Sequence, residues 1–189
     1  MIDSLYDCFK HWSDGGSVYI ISDTHLDDSD CKLMNPNWIT PEQQMYILRH
    51  TAHRNDTLIH LGDVGNPEYM KQLKCYKVLI MGNHDQSVEK FRPYFDEVYK
   101  GPLVISEKLI LSHEPLGIIP VAPETKPVMF NIHGHVHNDP NPRKTYWLNV
   151  AADVASFTPI NLGKAINNGL LSNVVGLNRT AINRAIKGV

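Results

Sequence analysis

Apolar residues in this chain gather in short runs, and run after run ends in a polar cluster. Val18–Ile21, Thr57–Leu61 and Lys77–Met81 are β-branched or Leu-rich and are flanked by Gly or Asp, the pattern of buried strands. Leu103–Ile105 and Leu109–Leu111 enclose Ser106-Glu107-Lys108 and read as a hairpin. Val128–Ile132 and Thr145–Leu148 complete the predicted strands. Helix signals lie between these runs. Thr40 can cap a helix with Pro41 at its first position and Gln43 three residues past the cap, a capping box that places Met45, Leu48 and Ala52 on one face. Asn66-Pro67 opens a second helix running through Leu73, and Gln86–Phe95 reads as a third. Alternation of strand and helix predicts an α/β layered domain with a largely parallel first half. The later strands, closer together in sequence, are expected to pair antiparallel.

Composition narrows the class. A chain of 189 residues with 42% hydrophobic and 20% charged residues fits one globular domain and excludes a disordered or fibrous protein. No run approaches the roughly 18 apolar residues of a membrane span, so no membrane partner is expected. Met1–Lys10 lacks the basic-then-apolar pattern of a signal peptide. Cys8, Cys31 and Cys75 are too few and too scattered for a disulfide framework, and no pair has zinc-site spacing. A reducing, cytoplasmic setting is the expectation. Charge is unevenly spread: of 18 basic and 20 acidic residues, Lys164, Arg179, Arg184 and Lys187 fall in 161–189 with no acid, leaving 14 against 20 before them. This divides the chain into a domain over 1–160 and a basic, helical C-terminal extension over 161–189, where Leu162, Ala165, Ile166 and Ile182, Ala185, Ile186 recur at helical spacing. Folding of the extension onto its own acidic body accounts for the asymmetry with no nucleic-acid contact.

The chemistry lies where the strands end. Ser22-Asp23-Thr24-His25 follows the first strand, Gly62-Asp63 the second, Gly82-Asn83-His84-Asp85 the third, Ser112-His113 the hairpin, and His133-Gly134-His135-Val136-His137 the strand after it. Ligand sites in open α/β sheets gather at such ends. Asp23 and His25 are two residues apart, so that an extended segment turns both toward one cation, and His135 and His137 repeat that alternation. Asp63 can bridge two ions through its two oxygens, while Asn83 offers an amide oxygen and His113 an imidazole. Seven ligands of mixed nitrogen and oxygen type suit Mn²⁺, Fe or Zn²⁺ better than an all-oxygen Mg²⁺ or Ca²⁺ cage. His11, His50, His53, His60 and His133 read as structural or surface residues, and Trp12, Trp38 and Trp147 as core or interface.

Asp23-x-His25, Gly62-Asp63, Gly82-Asn83-His84-Asp85, His113 and Gly134-His135-x-His137 resemble the five blocks of the calcineurin-like metallophosphoesterase superfamily, in family order. Ile21–His25, with Asn149-Val150 through Asp153 and Pro159, is similar to its small bacterial and phage phosphoesterases. Leu26-Asp27-Asp28 departs from that group, which continues with a glycine and a histidine. The resemblance implies an α/β fold of the metallophosphoesterase type, a β-sandwich of mixed sheets flanked by helices. It implies one metal on Asp23, His25, Asp63 and His137 and a second on Asp63, Asn83, His113 and His135. His84 would be the general acid, with Asp85 orienting its ring. The implied enzyme is a metal-dependent phosphoric ester hydrolase working by attack of a metal-bridging hydroxide, with Mn²⁺ preferred and Fe, Zn²⁺ or Ni²⁺ also fitting. With no long insertion to form a cap, phosphodiesters or small nucleotides are favoured over monoesters. A non-catalytic scaffold of the same fold and a nuclease are the alternatives. Scaffolds lose ligands, whereas all seven are present here, and no basic–aromatic groove for nucleic acid is visible. Oligomeric state is open.

Overall fold

The computed structural model describes residues 1–117, 126–139 and 144–177. Two sheets pack face to face. The first carries β1 (Val18–Ile21), β2 (Thr57–His60), β3 (Tyr76–Ile80), β4 (Glu97–Tyr99) and β9 (Ile160–Asn161) in the order β4-β3-β2-β1-β9. The second carries β5 (Leu103–Val104), β6 (Leu109–Leu111), β7 (Phe130–His133) and β8 (Trp147–Asn149), in sequence order. β1 to β4 are parallel, with Val18 opposite Thr57, Thr57 opposite Tyr76 and Val78 opposite Glu97. β9 closes the far edge antiparallel to β1.

Period-two burial explains the layering. Along β1 to β3, Val18, Ile20, Ile59, Val78 and Ile80 point between the sheets, where they meet Leu109, Leu111 and Ile132. Ile21, Leu58 and Leu79 alternate to the opposite face and pack under the helices. Both faces are therefore covered, as a parallel sheet requires. Each fully buried aliphatic side chain contributes about 1.5–3 kcal/mol.

Helix α3 (Pro41–Thr51) forms as its sequence predicts. Thr40 Oγ1 accepts from the Gln43 N–H at 3.3 Å, Gln43 Oε1 accepts from the Thr40 N–H at 2.9 Å, and Met45 and Leu48 are buried. The segment after Asn66 is a 3₁₀ helix, Pro67–Gln72, and the third predicted helix is a single turn, α4 (Val88–Phe91), capped by Ser87. Two short helices, α1 (His11–Asp14) and α2 (Cys31–Met34), were not anticipated.

The antiparallel expectation for the later strands holds for the β5–β6 hairpin alone, where Leu103 faces Leu111. β6–β7 and β7–β8 are parallel. More than a dozen residues separate β6 from β7, and β7 from β8, enough for a crossover. Beyond β9, α5 (Leu162–Asn167) and the residues to Val174 return to the same core: Leu162, Leu171 and Val174 are buried in it. Arg179, Ile182, Arg184, Ala185, Ile186 and Lys187 lie outside the described residues. Among the described residues, no helix is long and apolar enough to cross a membrane.

Candidate metal centre

Parallel pairing in both sheets brings the carboxyl ends of β1, β2, β3, β6 and β7 to one rim, and the loops there are tied together. The Asp23 N–H donates to the Gly62 carbonyl at 2.9 Å, His25 N–H to Asp63 at 3.0 Å, and Gly134 N–H to His113 at 2.9 Å. Asp23, His25, Asp63, His135 and His137 all have positive φ, between 42° and 68°. The extended alternation anticipated for the two x-separated pairs is therefore replaced by left-handed turns. A non-glycine residue at such φ costs about 1–2 kcal/mol, and clusters of them mark sites that the surrounding structure holds in place.

Ligand atoms of Asp23, His25 and His137 lie within 4.8 Å of one another, as do those of Asp63, His113 and His135. Asp63 joins the groups: its Oδ2 is 3.3 Å from His113 Nε2 and 3.8 Å from His25 Nε2. Asn83 Oδ1 stands 2.8 Å from His113 Nε2 and 3.0 Å from His135 Nδ1. All seven sequence-predicted ligands thus converge.

The donor set fits divalent cations. Asp23 Oδ1 and His25 Nε2 are buried with no hydrogen-bond partner among the described residues, a cost of about 1–3 kcal/mol each unless something meets them. His113 Nδ1 lies 2.8 Å from the Leu61 carbonyl, which only accepts, so that nitrogen carries the proton. Its Nε2 faces Asn83 Oδ1, Asp63 Oδ2 and, at 3.2 Å, His135 Nδ1. Nitrogen and oxygen ligand atoms converging in this way fit a divalent cation.

Local electrostatics follow the same lines. Burial would raise the Asp63 carboxyl, yet the His113 bond and charge and the His84 N–H hold it down at about 2. Burial lowers His25. His113 is pulled down by burial but ends above the ordinary imidazole value through Asp63 and Asp23. His137 is raised, chiefly by its hydrogen bond to Asp153. A further grouping of His25, Asp28 and Cys31 shares His25 with the first cluster, and burial pushes the Cys31 thiol up to about 12 in the absence of a metal.

Glycine is required where the loops close. A Cβ on Gly134 would sit 2.1 Å from Asp23 Oδ2 and from Ser22 Oγ, and one on Gly62 (φ 100°) would sit 2.3 Å from the Gly82 nitrogen.

His84 is exposed at the mouth, its N–H donating to Asp63 Oδ1 at 2.9 Å and its ring 5.5 Å from that of His25. The expectation that Asp85 orients this ring is corrected. Asp85 Oδ2 accepts the N–H groups of Gly82 and Asp63 at 2.8 and 2.9 Å, and Oδ1 accepts that of Val64 at 3.2 Å. Three backbone donors engage the carboxylate, and it braces the loop that carries Asp63.

His60 and His133 are buried. Trp38, expected as core, packs edge-on against His25 and lies 6.0 Å from His137, walling the first cluster. Sequence reasoning assigned no role to Asn149, at the end of β8, or to Asp153 after it. Asn149 Nδ2 donates to the His137 carbonyl at 2.8 Å, and Asp153 Oδ1 lies 3.1 Å from His137 Nδ1. Both fall in the closing segment that already resembled the family, the one signal available. A groove of about 710 Å³ runs beside His137 between Asn35–Trp38 and Asp153–Phe157, and one of about 290 Å³ borders Asn83, His113 and Lys100.

The chain is similar to a solved protein of unknown function from Aquifex aeolicus, with 27% identity and a TM-score of 0.64 over 80% of this chain and 98% of that one. It shows a slighter likeness to nuclease MPE from Pseudomonas putida, with 24% identity and a TM-score of 0.41 over 64% of this chain and 60% of that one. No curated protein matches. The family model for the calcineurin-like phosphoesterase superfamily domain matches residues 17–167, which takes in every residue of both clusters, and the chain belongs to that superfamily.

Proposed function

We infer that the protein is a binuclear-metal phosphoesterase that hydrolyses small phosphodiesters or nucleotides, with phosphomonoesters as poorer substrates. One observation carries this: Asp63 Oδ2 stands between two His-rich ligand groups, the arrangement a bridging carboxylate needs. Asp23, His25, Asp63 and His137 would hold one cation, and Asp63, Asn83, His113 and His135 the other. Divalent cations, Mn²⁺ first among them, would supply positive charge for the phosphoryl oxygens and lower the pKa of the attacking water.

The chain's own groups supply the rest. Buried ligands and the loop hydrogen bonds fix the site before substrate arrives, so little reorganisation accompanies charge development. As water's oxygen bonds to phosphorus, the bond from phosphorus to the leaving oxygen breaks. His84, exposed and beside the His25 ring, donates its proton to that oxygen and regains one from solvent. General-acid catalysis of this kind is worth about 10²–10⁴-fold. Exposure of Asn83 and His84 favours substrates that reach an open cleft, and a cytoplasmic setting is consistent with three free cysteines.

The test is hydrolysis of bis-p-nitrophenyl phosphate beside p-nitrophenyl phosphate, in metal-free protein titrated with Mn²⁺, Ni²⁺, Zn²⁺ and Mg²⁺. Metal-dependent turnover, faster on the diester and lost in His84→Ala with metal retained, is the expected result. An emptied metal site in His84→Ala would overturn the role given to that residue. Two bound metals with no turnover on either ester would move the reading to a scaffold.

A further inference from the structure

The geometry points to Asp153 as a positioning residue for His137: it keeps the ring proton on Nδ1 and so presents Nε2 to the cation held with Asp23 and His25. This rests on the metal-centre reading above and adds a residue to it. Asp153 Oδ1 is 3.1 Å from His137 Nδ1, and the Asp153 side chain is 4% exposed. An ionised carboxylate only accepts, so the proton of the neutral imidazole sits on the nitrogen facing it. The opposite nitrogen then carries its lone pair toward Asp23 Oδ1, 3.7 Å away and otherwise without a partner.

The same loop fixes the backbone of His137. Asn149 Nδ2 donates to the His137 carbonyl at 2.8 Å, while Asn149 Oδ1 accepts the Ala151 N–H at 3.0 Å. Asp153 itself lies in a turn closed by the Val154 and Ala155 N–H groups on the Ala151 carbonyl. Ring and main chain of a residue at φ 43° are thus gripped from one segment.

The other site imidazoles are backed differently. His113 rests on the neutral Leu61 carbonyl. His25 Nδ1 faces Asp28 Oδ2 at 3.5 Å, a longer contact to a side chain that is 42% exposed. Loss of the Asp153 charge should therefore matter more than loss of the Asp28 charge. Outer partners of metal-bound histidines typically set affinity by about 10–100-fold.

The experiment uses the full chain as wild type, Asp153→Asn and Asp28→Asn. Long-range ¹H–¹⁵N spectra of metal-free protein, taken at rising pH until the His137 ring is neutral, report its tautomer, and Mn²⁺ calorimetry reports affinity. Expected are an Nδ1–H tautomer in wild type, a shift toward Nε2–H in Asp153→Asn, and a loss of about 10–100-fold in affinity at one of two sites, with Asp28→Asn affected less. An Nε2–H tautomer in wild type overturns the proposal, even should Asp153→Asn not fold. An unchanged tautomer and affinity in Asp153→Asn overturns it as well. Failure of wild type to bind Mn²⁺ would instead defeat the metal-centre reading, and the metal-free spectra would still decide the role of Asp153.

Discussion

The Asp85 carboxylate accepts the backbone N–H of Asp63 at 2.9 Å. An acid adjacent to His84 in sequence thus braces the residue that links both ligand groups, and does so together with the Gly82 and Val64 N–H groups. Asp63 sits at φ 55°, a conformation that needs such support.

Removal of that brace should show in stability before chemistry. Asp85→Ala leaves three backbone donors without their acceptor, and we expect a loss of about 3 kcal/mol, the upper end for bonds to a charged group. Urea unfolding of metal-free protein measures it. A change within error would mean that water replaces the carboxylate.

Asp63→Asn keeps the shape and removes the charge shared by the two groups. Affinity should fall beyond the roughly 10–100-fold typical of outer partners, with turnover lost in parallel. Calorimetry with Mn²⁺ beside diester kinetics checks both. Two sites of wild-type affinity in this variant would exclude Asp63 as the bridge.

Gly134→Ala is predicted to disable the centre without touching any ligand. Its Cβ would stand 2.1 Å from Asp23 Oδ2, the oxygen that accepts the His135 N–H. Either Asp23 or the 134–135 peptide must shift, so metal stoichiometry should drop. Full occupancy by elemental analysis would show that the loop yields at no cost.

His60 predicts a pH dependence of folding. Gly62 N–H donates to its Nδ1 at 3.2 Å, which leaves the proton on Nε2, facing Thr24 Oγ1 at 2.9 Å; that hydroxyl in turn donates to the Val64 carbonyl. No acceptor remains for a second proton. Burial, with His113 and His25 adding to it and Asp63 opposing, lowers His60 to about 3. The unfolded imidazole takes its proton near 6.5, so stability from this group is complete above about pH 6.5 and falls as pH drops toward 3. Urea midpoints of metal-free protein across that window should slope less in His60→Asn than in wild type. Equal slopes would assign the dependence to other groups.

Much of this was legible in the sequence for local reasons. Strand positions followed from short apolar runs, and α3 from a capping box whose two bonds form within four residues. The ligands were legible because a side chain type that a core does not need recurred after each strand. Asp85 was misread because adjacency in sequence suggested His84 as its partner, while its real partners, Asp63 and Val64, arrive from a different strand.

The sequence by itself determined the central strands β1 to β3, helix α3 and which side chains reach the rim, since propensity, capping and period-two burial act over a few residues. Tertiary structure alone decided the rest. Parallel pairing of β6 with β7 and of β7 with β8 depended on crossover connections. The left-handed turns at Asp23, His25, Asp63, His135 and His137 depended on hydrogen bonds between loops up to 112 residues apart, such as His135 N–H to Asp23. The contacts behind His113 and His137 come from Leu61 and Asp153. Those partners are non-local, and no spacing along the chain records them.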